Sequence, residues 1–229
     1  MRSFAKTWRN HQWFLWRHLT DVQFFCATHD DPQFESVKNF PEGTIISKLT
    51  QPEMVAPAGC PKEWTQGQHY MHEPYAISVS PQAVLGQIWN LRAAWDLVQK
   101  SGREYGLVIR VRPDLWFHEL TLPEFPVGPS TAWTPWWGRF GGINDRFAVM
   151  GWLAAERYFT TWDRVPDLVK DGAPLHPETL MKLSLGACFQ KPNLDAVFST
   201  VRVTGDFRMP EILPTDIVRH SAYLSYPSQ

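Results

Sequence analysis

Glu104-Tyr-Gly-Leu-Val-Ile-Arg-Val-Arg-Pro-Asp-Leu-Trp-Phe117 is the stretch on which the fold of this 229-residue chain turns. Leu107-Val-Ile109 is short, apolar and β-branched, which predicts a buried strand. Regular alternation places Arg110, Arg112 and Asp114 on one side of it. Pro113 has no N–H to give a ladder, so pairing weakens there. Arg112 and Asp114 are therefore expected where the strand leaves its sheet. Just upstream, Ser80–Lys100 reads as a helix. Ser80 is its N-cap, Pro81 fits the first turn, and Val84, Leu85, Ile88, Leu91, Ala94, Trp95 and Val98 form its apolar stripe. Gly102 closes it. A helix followed at once by an apolar strand predicts a crossover unit and a mostly parallel sheet flanked by helices. In such α/β sheets ligands bind beyond the carboxyl ends of the strands.

Outward from this stretch, the remaining pattern is that of an α/β chain in one unit over 1–229. Residues 3–19 read as an amphipathic helix capped by Ser3, with apolar Phe4, Trp8 and Leu15 at helical intervals. Residues 21–28 and 43–48 read as short strands. Residues 50–80 carry Pro52, Pro57, Gly59, Pro61, Gly67 and Pro74, and are expected to be an irregular insertion or lid. A Pro-, Trp- and Gly-rich loop is expected over 121–143, residues 146–151 read as another short apolar stretch, and helices are expected over 152–169 and 177–185. A late strand is expected over 196–203, and 210–229 read as an appendage.

A formal net charge of −1 argues against a nucleic-acid-binding surface field. Any anionic ligand must then be met by local arginine or lysine. The three cysteines are odd in number and widely spaced, which indicates neither a disulfide framework nor a zinc site. A reducing, cytoplasmic compartment is the expectation. No apolar run reaches transmembrane length, and the polar, Trp- and Arg-rich start is not read as a signal peptide. The twelve tryptophans have two readings. They fill cores, or their flat faces stack on sugar rings. Trp133, Trp136 and Trp137 are the candidates for stacking, because they lie in the loop.

Three clusters carry candidate chemistry, each with a plain structural alternative. Arg110, Arg112 and Asp114 either form an internal ion pair or hold an anion such as a diphosphate, with Asp114 near a sugar or a cation. Asn144-Asp145 either forms a side-chain-capped turn or presents a carboxylate to a sugar hydroxyl. His176-Pro-Glu178 either caps a helix or supplies a base. His29-Asp30-Asp31 reads as a solvated turn, and His69 and His72 lie in the irregular region. P-loop, dinucleotide, nucleophile-elbow and zinc signatures are not found.

Together these segments resemble a group of bacterial and viral glycosyltransferase-like proteins with a GT-A-type nucleotide-sugar domain. Met1-Arg-Ser-Phe4 is similar to the end of that group's opening Gly-x-x-Arg-[Ser/Thr]-Phe segment. Tyr105–Leu115 is similar to its Tyr-Asp-x-Val-x-Arg-x-Arg-Pro-Asp-Leu strand, the most specific of the matches. Asn144-Asp-Arg-Phe-Ala-Val-Met-Gly151 and Pro177-Glu-Thr-Leu180 are similar to two later segments.

The resemblance implies transfer of a sugar from a nucleotide-sugar donor to a glycan or other hydroxyl acceptor, as in polysaccharide biosynthesis. Arg2, Arg110, Arg112 and Asp114 would lie at the donor diphosphate. Asp145 and Glu178 would be the catalytic carboxylates, and Trp136, Trp137 and Asn144 would meet the acceptor. GT-A enzymes hold Mg2+ or Mn2+ with a D-x-D segment. Here Arg112-Pro113-Asp114 stands in its place, so Asp114 is a candidate metal ligand, while Arg112 makes metal-independent neutralisation an equal expectation. The group's first strand precedes the Arg2 segment, and here it is expected to be missing or supplied by another chain. The rival expectation is a non-catalytic domain of this type that binds a glycan or a protein partner.

Overall fold

The computed structural model describes residues 4–29, 40–50, 52–58, 60, 71–72, 75–76, 80–201 and 207–208. Arg2, the proposed Ser3 cap, the Asp30-Asp31 turn, most of the 50–80 insertion and the 210–229 appendage lie outside them. The elements are α1 (Phe4–Phe14), β1 (Phe25–His29), β2 (Ile45–Leu49), β3 (Met71–His72), β4 (Tyr75–Ala76) and α2 (Pro81–Lys100), then β5 (Val108–Val111), β6 (Leu115–Leu120), β7 (Thr131–Pro135) and β8 (Phe147–Met150). They continue with α3 (Trp152–Phe159), α4 (Val165–Lys170), α5 (Pro177–Leu185), β9 (Phe189–Leu194), β10 (Ala196–Val201) and β11 (Phe207–Arg208). The class is mixed α/β.

The helix over 80–100 forms as its sequence predicts. Ser80 Oγ accepts from Ala83 N at 3.2 Å and Pro81 occupies the first turn. Gly102, at φ +67°, lets the chain leave in the left-handed region. Val84, Leu85, Ile88, Leu91, Trp95 and Val98 are buried along one stripe. Each such apolar side chain contributes about 1.5–3 kcal/mol on burial.

The opening stretch is two strands rather than one. β5 ends at Val111 and β6 begins at Leu115, with a turn closed by Leu115 N donating to Arg112 O at 3.2 Å. Pro113 sits at the second position of that turn, where its fixed φ is favourable. The two strands then enter different sheets. β5 is the edge of the order β5–β8–β7–β9, and β6 is the edge of the order β11–β10–β6.

The mostly parallel sheet is not what forms among the described residues. β5 pairs with β8 antiparallel, β8 with β7 antiparallel, and β10 with both β6 and β11 antiparallel. β1–β2 and β7–β9 are parallel. The helix-to-strand order of α2 and β5 brings the chain onto the sheet, but it does not choose the neighbour. That neighbour is β8, which arrives from the opposite direction out of the 136–146 loop. Where helices α3 to α5 do intervene, between β7 and β9, the pair is parallel, as a crossover requires.

β8 shows how the layers stack. All four of its residues are buried. Ala148 and Met150 face the cluster made with α2, α3 and α5, while Phe147 and Val149 face Leu115, Phe117 and Phe198 of the β6–β10 sheet. Alternation puts successive side chains on opposite faces, so a continuous apolar run marks a strand covered on both.

α1 is shorter than the expected helix over 3–19. It ends at Phe14, and a single 3-10 turn follows at Trp16–His18. Its polar face does unusual service. Asn10 Nδ2 donates to Phe117 O at 2.8 Å and Asn10 Oδ1 accepts from Phe117 N at 2.7 Å. One side-chain amide thus replaces a strand partner at the outer edge of β6. His11 Nε2 contacts Leu115 O at 2.7 Å, and Thr7 Oγ1 donates to Pro113 O.

Candidate functional site

The carboxyl end of β5 gathers charge from four parts of the chain. Arg110 comes from the strand itself, and Arg112 and Asp114 come from the turn after it. Asp145 comes from the loop before β8, and Glu178 from the first turn of α5. Arg110, Asp145 and Glu178 are buried. Burying that many charges is costly unless each finds a partner.

The partners are specific. Arg112 Nε donates to Asp114 Oδ1 at 2.9 Å and Nη2 donates to Oδ2 at 2.7 Å. Arg110 Nη1 donates to Arg146 O at 2.9 Å, and its Nε is buried without a hydrogen-bond partner. Gln87 Nε2, from α2, donates to Asp145 Oδ2. His176 Nε2 lies 3.1 Å from Glu178 Oε2. Burial works to raise the Asp114 carboxyl, but the Arg112 hydrogen bonds and charge outweigh it and hold it below the usual value. Burial pulls the Arg110 guanidinium down. Arg112 is held above its ordinary value, because Asp114, with help from Asp145 and Glu178, outweighs the cost of burial. Tyr158 is pushed up by burial.

Close backbone packing places Glu178. A Cβ on Gly142 would lie 2.1 Å from the carbonyl carbon and oxygen of Glu178, so only glycine lets the 138–145 loop rest on α5. Ile143 N then donates to Glu178 O at 3.1 Å.

Not every expected contact residue faces the cluster. Trp137 is buried, and its Nε1 donates to Ala196 O at 2.7 Å. It therefore fills the core between β8 and β10 and has no face for a sugar. Asn144 is fully buried. Its Nδ2 donates to Trp137 O at 3.0 Å and its Oδ1 accepts from Arg146 N at 2.9 Å. That is the capped turn rather than an acceptor contact. Trp136 packs half-buried against the apolar core that holds Leu115, Phe117 and Phe198. Trp133 lies in β7 with Lys191 Nζ 5.2 Å from its ring.

Gln87 and Tyr158 belong to the site but were not anticipated. Gln87 is a polar residue beside the apolar stripe of α2, which was its one visible signal. The Tyr158 hydroxyl donates to Asp145 O at 3.4 Å from within a helix that reads as core.

A cleft of about 590 Å3 opens between β1 and β5, and its polar end reaches Gln87, Arg110 and Arg112. That size suits a small-molecule site. A divalent cation fits Asp114 poorly, since Arg112 already spans both carboxylate oxygens. Among the described residues no three His, Cys, Asp or Glu side chains converge as a ligand set. No described helix is long and apolar enough to cross a membrane. No protein-family model, curated protein or solved structure matches the chain.

Proposed function

We propose that the chain is a GT-A-type glycosyltransferase whose donor diphosphate is neutralised by arginine. The carrying observation is the convergence of Arg110, Arg112, Asp114, Asp145 and Glu178 at the carboxyl end of β5. A nucleotide-sugar diphosphate competes with Asp114 for the Arg112 fork, which matches phosphate geometry as well as carboxylate. Asp145 or Glu178 takes the acceptor hydroxyl proton. The acceptor oxygen bonds to the anomeric carbon as the bond to the diphosphate oxygen breaks, and the leaving charge falls on the guanidinium. Half-buried Trp136 remains the aromatic candidate for the acceptor.

Titration calorimetry with a panel of nucleoside diphosphates tests this, followed by donor hydrolysis and transfer assays with and without Mg2+ or Mn2+. The expected result is binding by one nucleotide class, weakened about tenfold or more by Arg112→Ala. A folded chain that binds none of them sinks the reading.

A second reading is a non-catalytic domain of the same type that binds a glycan or a protein. The mutual pairing favours it, because Arg112 with Asp114 and Gln87 with Asp145 are already satisfied within the chain. Nucleotide binding without turnover of any donor would support this second reading.

A further inference from the structure

Arg110 is a buried charge that its neighbours leave unmatched. It is 8% exposed, yet among the described residues no carboxylate forms an ion pair with it. Asp114 is taken by Arg112, and Asp145 Oδ2 accepts from Gln87. Arg110 Nη1 donates to a backbone carbonyl, that of Arg146, and Nε is buried without a hydrogen-bond partner. A buried guanidinium with an unused donor is costly, and an anion brought to it lowers that cost.

Arg110 also lines the cleft between β1 and β5, at the end it shares with Gln87. Further along α2 the lining turns apolar, with Leu91, Ala94 and Val98, and the indoles of Trp8 and Trp16 contribute to the other walls. From Gln87 to Val98 the helix rises about 16 Å. The space is therefore long and apolar with one cationic end, and its volume of about 590 Å3 suits a small molecule.

We propose that this cleft binds an amphipathic carboxylate, a straight aliphatic chain of about ten to twelve carbons laid along α2 with its head group at Arg110. The carboxylate gives Nε an acceptor and the guanidinium a counter-charge in one group. The chain displaces water from the apolar walls, and each methylene adds about threefold to fourfold in affinity. Arg112 keeps Asp114, so the turn into β6 stays closed. The proposal does not rest on the nucleotide-sugar reading, which calls on the Arg112 fork.

Titration calorimetry of the full chain with hexanoate, octanoate, decanoate and dodecanoate tests it, each below its micelle concentration and with no nucleotide present. Affinity is expected to rise about threefold to fourfold per methylene as far as decanoate. Decanol is expected to bind about tenfold or more weakly than decanoate, and decyltrimethylammonium is expected not to bind. Ala94→Phe, which fills the cleft from α2, is expected to abolish binding and leave the far-ultraviolet circular dichroism unchanged. Arg110→Gln is expected to remove the preference for decanoate over decanol. The proposal is overturned if no chain binds, if affinity is independent of chain length, or if the cationic chain binds as well as the carboxylate. It is also overturned if a folded Ala94→Phe chain binds as before. The chain-length and head-group series need no variant, so they decide the question where a variant does not fold. Nucleoside diphosphates titrated separately decide the nucleotide-sugar reading, and their failure to bind leaves this result standing.

Discussion

Arg112 grips Asp114 with two nearly parallel hydrogen bonds, at 2.9 and 2.7 Å, across the turn that separates β5 from β6. The pair pins the turn and places the guanidinium at the mouth of the cleft. Both side chains keep some exposure, 34% and 26%, so solvent screens part of their attraction. Arg112→Lys keeps the charge and loses the fork. It is expected to cost on the order of 1 kcal/mol in a urea titration.

The same pair sets an acid limit. The Asp114 carboxyl is depressed in the fold, so the unfolded chain takes up its proton first. Its stabilising contribution is complete above the ordinary carboxylate value of 3.8 and is lost as pH falls through the lower folded value. Asp114→Asn is therefore expected to flatten the stability profile below about pH 4. Urea midpoints at pH 7 and pH 3 measure this, and an unchanged slope in the variant counts against the pair.

Gly142 decides whether the two halves of the site meet. In Gly142→Ala the new Cβ would lie 2.1 Å from Glu178 backbone atoms and 2.5 Å from Thr179 N. Backbone cannot rotate away as a side chain would, so the loop and α5 must separate. A loss of about 2–3 kcal/mol is expected by thermal melting, with the Ile143–Glu178 hydrogen bond broken. A neutral substitution would refute this packing.

His11 is held neutral inside the fold. Burial pulls its pKa down to about 4, and the Leu115 carbonyl only partly opposes this. The unfolded chain binds this proton near 6.5, so the fold keeps the full contribution above that pH. The contribution falls between pH 6.5 and 4 and is level below, a change of about 3 kcal/mol. His11→Gln can still donate to Leu115 O but does not titrate. It is expected to be close to neutral at pH 7 and to lose that slope. A parallel decline in both proteins between pH 6.5 and 4 would exclude His11 as the source.

Much of the secondary structure was legible because it rests on neighbours in sequence. The cap, stripe and closing glycine of α2 are all local. So are the apolar cores of β5, β8 and β10. β7 and β9 were missed for equally local reasons. Thr131–Pro135 is surrounded by Pro, Trp and Gly, and β9 carries Pro192, which a strand tolerates at the edge position β9 occupies among the described residues. The expected helix over 152–169 breaks into α3, a 3-10 turn and α4, with Pro166 at the start of the last.

From the sequence alone came the mixed α/β class, a strand within 107–111, and the exit of Arg112 and Asp114 at Pro113, while the expected burial of Leu107, Val108 and Ile109 is only partial. Only the tertiary structure decided that β5 runs antiparallel to β8, and that the chain beyond Pro113 joins a second sheet. It alone turned Trp137 and Asn144 inward, and it brought Asp145 and Glu178 to the arginines. The reason is physical. Propensity and period act over a few residues, whereas strand partners and ion pairs are chosen by what lies nearby in space, across separations such as the 58 residues between Gln87 and Asp145.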